Sequence, residues 1–160
     1  MKNLNDKPGH LARRFQQIAV AVFHAEMDAA GFDLTPVQYA ALAAIATHPG
    51  MDQSTLAGTI AYDRTTITGV VDRLAQKGLV ARNPSPRDRR AHQLSMTKAG
   101  EKTLQQIEPA VQAAQQAMMA GLTVAEGKEL MRLMRKAIDA GNELSRAPMR
   151  EMAGADAKKA

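Results

Sequence analysis

The 160-residue sequence contains no cysteine. Without cysteine the chain has no disulfide framework, no thiolate metal site and no thiol nucleophile. Its apolar runs stay below the roughly 18 consecutive residues of a membrane-spanning helix. The N-terminal stretch MKNLNDKPGHLARRF also lacks the apolar centre of a secretory signal. These absences exclude several enzyme classes and lead us to expect a cytoplasmic protein.

The sequence also lacks the short motifs that mark catalytic sites. It has no GxSxG elbow, no phosphate-binding P-loop, no GxGxxG turn and no HExxH zinc motif. Four histidines, His10, His24, His48 and His92, are scattered along the chain. We therefore expect neither catalysis nor a bound metal or cofactor.

Positive charge is in excess and is concentrated in one place. The chain has 21 lysines and arginines against 16 acidic residues, a formal net charge of +5. Residues 82–90 hold four arginines and one aspartate, a local net charge of +3. Such a balance favours an anionic partner, and its clustering indicates nucleic acid.

Hydrophobic periodicity predicts three helices in the first third of the chain. The first, from about Gly9 to Ala30, carries an apolar stripe at spacings of three and four. Its members are Leu11, Phe15, Ile18 and Val22. Thr35–Gln38 has the capping residues of a helix start, which predicts a second helix from Pro36 to about Thr47. Asp52 is placed to cap a short third helix, Gln53 to Ile60.

The stretch YDRTTITGVVDRLAQKGLV, residues 62–80, predicts a fourth helix with two unlike faces. Ile67, Val70, Val71 and Leu74 follow the i, i+3, i+4, i+7 pattern of a buried stripe, and Gly78 ends the helix. At about 100° per residue, the opposite side has small or polar residues and no run of lysine or glutamate. These residues are Thr65, Gly69, Asp72 and Gln76, with Thr68 and Arg73 beside them.

After Gly78 the hydrophobic period changes to two. Leu79–Arg82 and His92–Met96 are predicted as short strands, joined by the proline-punctuated basic segment NPSPRDRRA. The pattern predicts a β-hairpin with an arginine-rich tip.

Two further helices and a tail are predicted after the hairpin. Thr97 can cap a long helix through Met118, which Pro109 bends rather than ends. Thr123–Glu126 is a second capping box and opens the last helix. That helix carries apolar residues at Leu130, Leu133, Met134, Ala137, Ile138 and Leu144. The tail, residues 147–160, has little to bury and is expected to be disordered.

A short helix, a tight turn, a second helix and a basic hairpin follow the order of a winged helix-turn-helix. The fold class is therefore mainly α with a small β wing, and double-stranded DNA is the expected partner. A helix that enters the major groove needs small residues, hydroxyls and arginine where it meets bases and phosphates. The predicted DNA-binding residues are Arg64, Thr65, Thr66, Thr68, Gly69 and Arg73 on the helix, with Arg87, Arg89 and Arg90 on the wing.

Roles without DNA contact stay open for the same residues. The wing arginines suit a solvated loop, and Asp88 with Arg90 suits an ion pair that stiffens the hairpin. Asp72 and Arg73 suit a surface pair, although Asp72 is assigned a structural role because phosphate repels a carboxylate.

The helices outside the DNA-binding lobe have apolar stripes that such a small lobe cannot cover. We expect an N-terminal dimerisation helix (residues 9–32), a DNA-binding lobe (33–96) and C-terminal dimerisation helices (97–146). Packing of these helices against a second copy would give a two-fold homodimer.

The run DRTTITGVVDRLAQKGLVARNPSPRDRRAHQLSMTKAG closely resembles the recognition helix and wing of the MarR family of bacterial regulators. The resemblance includes the wing Asp-x-Arg at Asp88 and Arg90 and the Leu-Thr-x-x-Gln opening of the second helix at Leu34–Gln38. It implies an obligate dimer, usually a repressor of neighbouring or own-operon genes, often released by a small phenolic or aromatic carboxylate. Members that sense oxidants use cysteine, so its absence favours the ligand-responsive branch.

The chain is also similar to the subgroup that represses nicotinic acid degradation and is relieved by 6-hydroxynicotinate. In the family, ligands lie between the dimerisation helices and the DNA-binding lobe. The matching positions are His10, Arg14 (or its neighbour Arg13), Phe15, Gln38 and Tyr39. A guanidinium can pair bidentately with a carboxylate while an aromatic ring stacks on the ligand.

Two alternatives remain at this stage. The chain is compatible with a non-specific architectural DNA-binding protein that has no effector. Activation of transcription is open beside repression.

Overall fold

The structure is a computed structural model and describes residues 3–85 and 92–151. These residues form a mainly helical fold with one antiparallel β-hairpin. The elements are α1 (Pro8–Ala29), α2 (Pro36–Thr47), α3 (Gln53–Thr59), α4 (Arg64–Gln76), β1 (Val80–Pro84), β2 (His92–Met96), α5 (Lys98–Met118) and α6 (Val124–Gly141). Short 3-10 turns cover Leu4–Asp6 and Asn142–Leu144. The predicted fold class, mainly α with a small β wing, is confirmed.

Most element boundaries agree with the sequence patterns, and the differences have local causes. Helix α3 ends at Thr59 rather than at Ile60, which is its C-cap and is half-buried. Strand β1 is displaced by one to two residues toward the wing tip. Helix α6 ends at Gly141, and Leu144, predicted on its apolar stripe, lies in a 3-10 turn and is 91% exposed.

The chain packs as two compact units, and α5 and α6 each contribute to both. The first unit contains the described residues up to Pro36 together with Gln106–Met131. The second contains the described residues of 37–105 and 132–160. Among the described residues, no helix has the length and apolarity needed to cross a membrane.

The core of the first unit uses a different face of α1 from the one that periodicity singled out. Phe23 and Met27 are the buried residues of α1. In contrast, Leu11 and Ile18 of the predicted stripe are 49% and 48% exposed. The stripe is therefore left largely uncovered by the chain itself.

The core of the second unit holds the helix-turn-helix and the wing together. Its completely buried large side chains come from α2, α3, α4 and β2. They are Leu42, Ile45, Leu56, Ile67, Val71, Leu74 and Leu94.

The turn before α3 forms hydrogen bonds with strand β2, which the sequence patterns did not predict. The N–H of Gly50 donates to the Leu94 carbonyl (3.0 Å), and the N–H of Leu94 donates to the Met51 carbonyl (2.8 Å). Asp52 also forms a β-bridge with Gln93. The turn before α3 thereby lies along β2, so the wing is joined to the helix-turn-helix by backbone hydrogen bonds.

The start of α5 is fixed to the base of the wing. Thr97 caps the helix, since its Oγ1 accepts from the N–H of Gly100 (3.0 Å) and also donates to the Gly78 carbonyl (2.6 Å). A Cβ built on Gly100 would lie 2.1 Å from the Leu79 carbonyl oxygen. Only glycine allows this approach, which explains a glycine in the first turn of a helix. Helix α5 continues past Pro109, as predicted.

Candidate nucleic-acid interface

Helix α4 begins at a well-formed cap. Asp63 Oδ1 accepts from the Thr66 N–H (2.9 Å), and its Oδ2 accepts from the Thr66 hydroxyl (2.7 Å). The hydroxyl and then the N–H of Thr66 stabilise the carboxylate, which lowers the pKa of Asp63 below its ordinary value. The cap fixes Arg64 as the first residue of α4 and engages the hydroxyl of Thr66.

The two faces of α4 separate as the sequence predicted. Ile67, Val71 and Leu74 are completely buried, and Val70 is 6% exposed. The six helix residues predicted to meet DNA are all exposed. They are Arg64, Thr65, Thr66, Thr68, Gly69 and Arg73.

The outward face of α4 is open and free of bulk at its centre. No heavy atom outside the glycine and its own backbone surroundings lies within 4 Å of a Cβ built on Gly69. The carboxylate on this side, Asp72, pairs with Arg82 of β1 rather than with Arg73. The structural role predicted for Asp72 is confirmed, and Arg82 of the basic cluster is an intramolecular partner of that carboxylate.

A hydrogen bond between the two helices of the motif involves another polar residue, which the sequence did not single out. Gln53 Nε2 donates to Thr68 Oγ1 (2.6 Å), and Thr68 Oγ1 donates to the Arg64 carbonyl (2.9 Å). The bond sets α3 against the outward side of α4. No motif in the sequence marks Gln53, because its role depends on the angle between two helices.

The described part of the wing is a regular antiparallel pair. Ala81 lies opposite Ser95, and Arg82 lies opposite Leu94. Asn83 Nδ2 donates to Ser95 Oγ at 2.8 Å. The predicted tip residues Arg87, Asp88, Arg89 and Arg90 lie outside the described residues.

The residues predicted to bind an effector lie on two helices. His10 and Phe15 are half-buried and Arg14 is exposed on α1; on α2, Gln38 is buried and Tyr39 is half-buried. The neighbouring Arg13 donates to Gln17 Oε1 (2.8 Å), and its Nη2 lies 3.3 Å from His10 Nδ1. Arg13 is thus engaged along its own helix. The effector site itself stays a prediction.

Metal ligation has no support in the part of the chain that the structure describes. No three of its histidine, aspartate and glutamate side chains are arranged to hold a metal ion.

Comparison with known proteins places this geometry in a family. Residues 34–92 match the model of the MarR family. The chain is 42% identical over 103 residues to a putative transcriptional regulatory protein for the hcr operon of Thauera aromatica, a match covering 64% of this chain and 62% of that protein. It is 31% identical over 137 residues to the HTH-type transcriptional repressor NicR of Pseudomonas putida, covering 86% and 85% of the two chains.

Solved structures agree in fold. The PcaV transcriptional regulator of Streptomyces coelicolor, in complex with its natural ligand, superposes with a TM-score of 0.80 at 32% identity, covering 88% of this chain and 98% of that one. Bordetella bronchiseptica BpsR, whose DNA binding is regulated by 6-hydroxynicotinic acid, superposes with a TM-score of 0.81 at 28% identity, covering 87% and 98%. The chain belongs to the MarR family of winged-helix transcriptional regulators.

Proposed function

We propose that the chain is a homodimeric repressor that binds a pseudo-palindromic operator and is released by a small aromatic carboxylate. The observation that carries the DNA-binding part is the division of α4. Its apolar face is buried in its own lobe, while its opposite face offers an arginine at each end and small hydroxyl-bearing or glycine positions between them. Such a face leaves room for the edges of bases.

In this proposal, α4 enters the major groove and its first turn contacts bases and phosphates. Arg64, Thr65, Thr66, Thr68, Gly69 and Arg73 form the contact surface. The wing arginines Arg87, Arg89 and Arg90 contact phosphates or the adjacent minor groove. Two copies would meet successive major grooves about one helical turn, ~34 Å, apart.

Dimerisation is proposed from the apolar side chains that the chain leaves uncovered. Leu11, Ile18, Leu133 and Ile138 are each about half exposed or more. They belong to α1 and α6, the helices assigned to dimerisation from the sequence. A second copy that covers them would remove this apolar surface from water.

The DNA-binding proposal can be tested by selecting duplexes from a randomised library with the wild-type protein. We expect enrichment of one inverted repeat and weaker binding by Arg64→Ala, about 1–3 kcal/mol for each subunit if Arg64 contacts a base. The control is Lys102→Gln, which removes one positive charge from an exposed position on α5. If no sequence is enriched but all duplexes bind, the architectural alternative replaces the repressor.

For the effector, we propose a ligand with an aromatic ring and a carboxylate, with 6-hydroxynicotinate as the first candidate. The support is the resemblance to NicR and to BpsR, whose DNA binding 6-hydroxynicotinic acid regulates. His10, Arg14, Phe15, Gln38 and Tyr39 are the proposed binding residues. Arg14 is preferred to Arg13 as the carboxylate partner because Arg13 already donates to Gln17.

An effector can release DNA only through unequal affinity for the DNA-bound and free forms of the protein. A coupling of about 1–3 kcal/mol would weaken DNA binding by about 5- to 150-fold. Titration calorimetry with 6-hydroxynicotinate should show binding that Arg14→Ala weakens. The matched ligand is 6-hydroxynicotinamide, which keeps the ring and lacks the carboxylate. Equal binding of both ligands would contradict recognition of the carboxylate. Unchanged affinity in Arg14→Ala and Tyr39→Phe would remove Arg14 and Tyr39 from the site.

A further inference from the structure

The seven residues Ser145–Glu151, which we call the C-terminal strap, are held against the helix-turn-helix. The Arg150 N–H donates to the Gly58 carbonyl near the end of α3 at 2.9 Å. A Cβ built on Gly58 would lie 3.1 Å from the Arg150 Cβ, so the strap passes close over the helix. Residues 147–151 belong to the tail that the sequence predicts to be disordered. Hydrogen bonds, rather than apolar burial, hold them in place.

A clamp at the end of α6 fixes the course of the strap. The Asn142 side chain accepts from the Met149 N–H (2.8 Å) and donates to the Met149 carbonyl (3.1 Å). Arg150 forms a two-point ion pair with Glu143, at 2.5 Å and 3.1 Å. The pair lowers the pKa of Glu143 and raises that of Arg150, because each group stabilises the charged form of the other. Three separate contacts therefore tie the strap to α3 and to the residues after α6.

The strap forms one wall of a groove of about 710 Å³. The lining also contains Arg64, the first residue of α4, together with Ser54 and Tyr62. Arg146, which is exposed, lies on the strap side. Cations from two distant parts of the sequence thus border one groove, at the end of α4 that begins the proposed contact with DNA.

The charges around the groove favour an anionic occupant. Arg64, Arg146 and Arg150 line it, against Asp63 and Glu151. Asp63 keeps its negative charge and accepts from Thr66 in the cap of α4, and Arg150 is paired with Glu143. Arg64 and Arg146 also line the groove. Neither takes part in the Asp63 cap or in the Arg150–Glu143 ion pair. In a helix-turn-helix complex the first residues of the recognition helix contact base edges, while the preceding helix crosses the sugar-phosphate backbone.

We propose that the C-terminal strap is part of the DNA-binding surface, and that Arg146 contacts a phosphate of the duplex next to the one approached by Arg64. The clamp by Asn142 and the Arg150–Gly58 hydrogen bond position this arginine. The inference rests on the proposed function, and it adds a contact from outside the helix-turn-helix and the wing.

A phosphate contact has a readout that a purely structural residue lacks. Losing one contact reduces the magnitude of the slope of log affinity against log salt concentration by about 0.9 on duplex DNA. The variant therefore loses about eightfold of the affinity that the wild type gains between 1 M and 0.1 M salt. It also weakens binding to all sequences alike, because phosphates carry no sequence information.

The experiment measures affinity over a range of salt concentrations for the selected duplex and for a scrambled 30-base-pair duplex. Arg146→Gln should lower the slope by about 0.9 for each bound subunit and weaken both duplexes by a similar factor. Lys102→Gln is the matched loss of charge outside the groove and should change neither the salt slope nor the affinity for either duplex. Asn142→Ala keeps Arg146 but removes the clamp, and should weaken both duplexes while circular dichroism and dimerisation stay as in the wild type.

Two results would overturn the inference. One is a wild-type slope and affinity in Arg146→Gln, and the other is an equal loss in Lys102→Gln, which would reduce the effect to net charge. Wild-type affinity in Asn142→Ala would refute the positioning role of the clamp. Failure of the wild-type protein to bind any duplex would instead refute the proposed function, so the two failures are distinguishable.

Discussion

Helices α4 and α6 are both amphipathic, but the chain buries the apolar stripe of only one of them. In α4 the four apolar residues of the stripe are buried within the lobe. In α6 no residue is buried, and Leu133 and Ile138 are 47% and 57% exposed. Both helices begin with a side-chain cap, so the difference does not lie in how they start.

The contrast separates two uses of an apolar stripe. The stripe of α4 fixes the helix to its own lobe, which leaves the opposite face available for a polar partner. The stripe of α6 is itself the available surface, and a row of exposed apolar side chains indicates a protein partner. The homodimer proposal depends on this second use.

The largest expected effect comes from the buried stripe of α4. Leu74→Ala leaves a cavity at a completely buried position, and we expect a loss of about 2–5 kcal/mol in the free energy of unfolding. Urea denaturation measures it. Thr65→Ala, on the exposed face of the same helix, should stay within about 0.5 kcal/mol of the wild type. Equal losses in the two variants would contradict the two-faced description of α4.

The next effect concerns the uncovered stripe of α6. Leu133→Asp places a charge among the apolar side chains and should weaken dimerisation by at least about tenfold, since full burial of a leucine is worth about 1.5–3 kcal/mol. Sedimentation equilibrium measures the dissociation constant.

The matched control for this variant is Ala125→Asp. At about 100° per residue, Ala125 lies about 80° from Leu133 and about 140° from Ile138, outside the arc that these two residues span on α6. The control should dimerise as the wild type does. A wild-type dissociation constant in Leu133→Asp would remove α6 from the interface.

The smallest effect concerns the carboxylates that start the two helices. The pKa of Asp63 is lowered by Thr66, and that of Glu126 by the N–H and hydroxyl of Thr123. A carboxyl with a lower pKa in the folded chain stabilises it above the unfolded pKa, and this contribution is lost as the pH falls through the folded value.

Asp63→Asn and Glu126→Gln should therefore lower the melting temperature slightly at pH 7. The difference from the wild type should shrink as the pH falls below about 4, where the wild-type carboxyls take up protons. Melting curves at pH 7 and pH 3 test this, and a difference that grows on acidification would contradict the assigned direction of the two pKa shifts.

The sequence predicted the fold well where a local rule determines structure. The stripe of α4, the caps at Asp52 and Thr97 and the capping box at Thr123 depend on residues within one or two turns of each other. The helix order and the hairpin follow from the same kind of local pattern. The family resemblance rests mainly on the stretch from α4 through the hairpin.

Local rules of this kind could not predict contacts between residues that are far apart in the sequence. Asp72 and Arg82 pair across the turn from α4 to β1, and Arg150 reaches Gly58 across about ninety positions of sequence. No periodicity connects these residues. Periodicity also identified only the stripe of α1 that is left largely exposed, and not the face with Phe23 and Met27 that the chain buries.

The contact of Gly100 with the Leu79 carbonyl limits how this lobe can change shape. The backbone there is in direct contact, and Thr97 adds hydrogen bonds on both sides of it. We therefore expect the first turn of α5 and the base of the hairpin to shift together. Any signal that tilts the start of that helix will reorient the hairpin, even when the signal originates at atoms that touch neither strand.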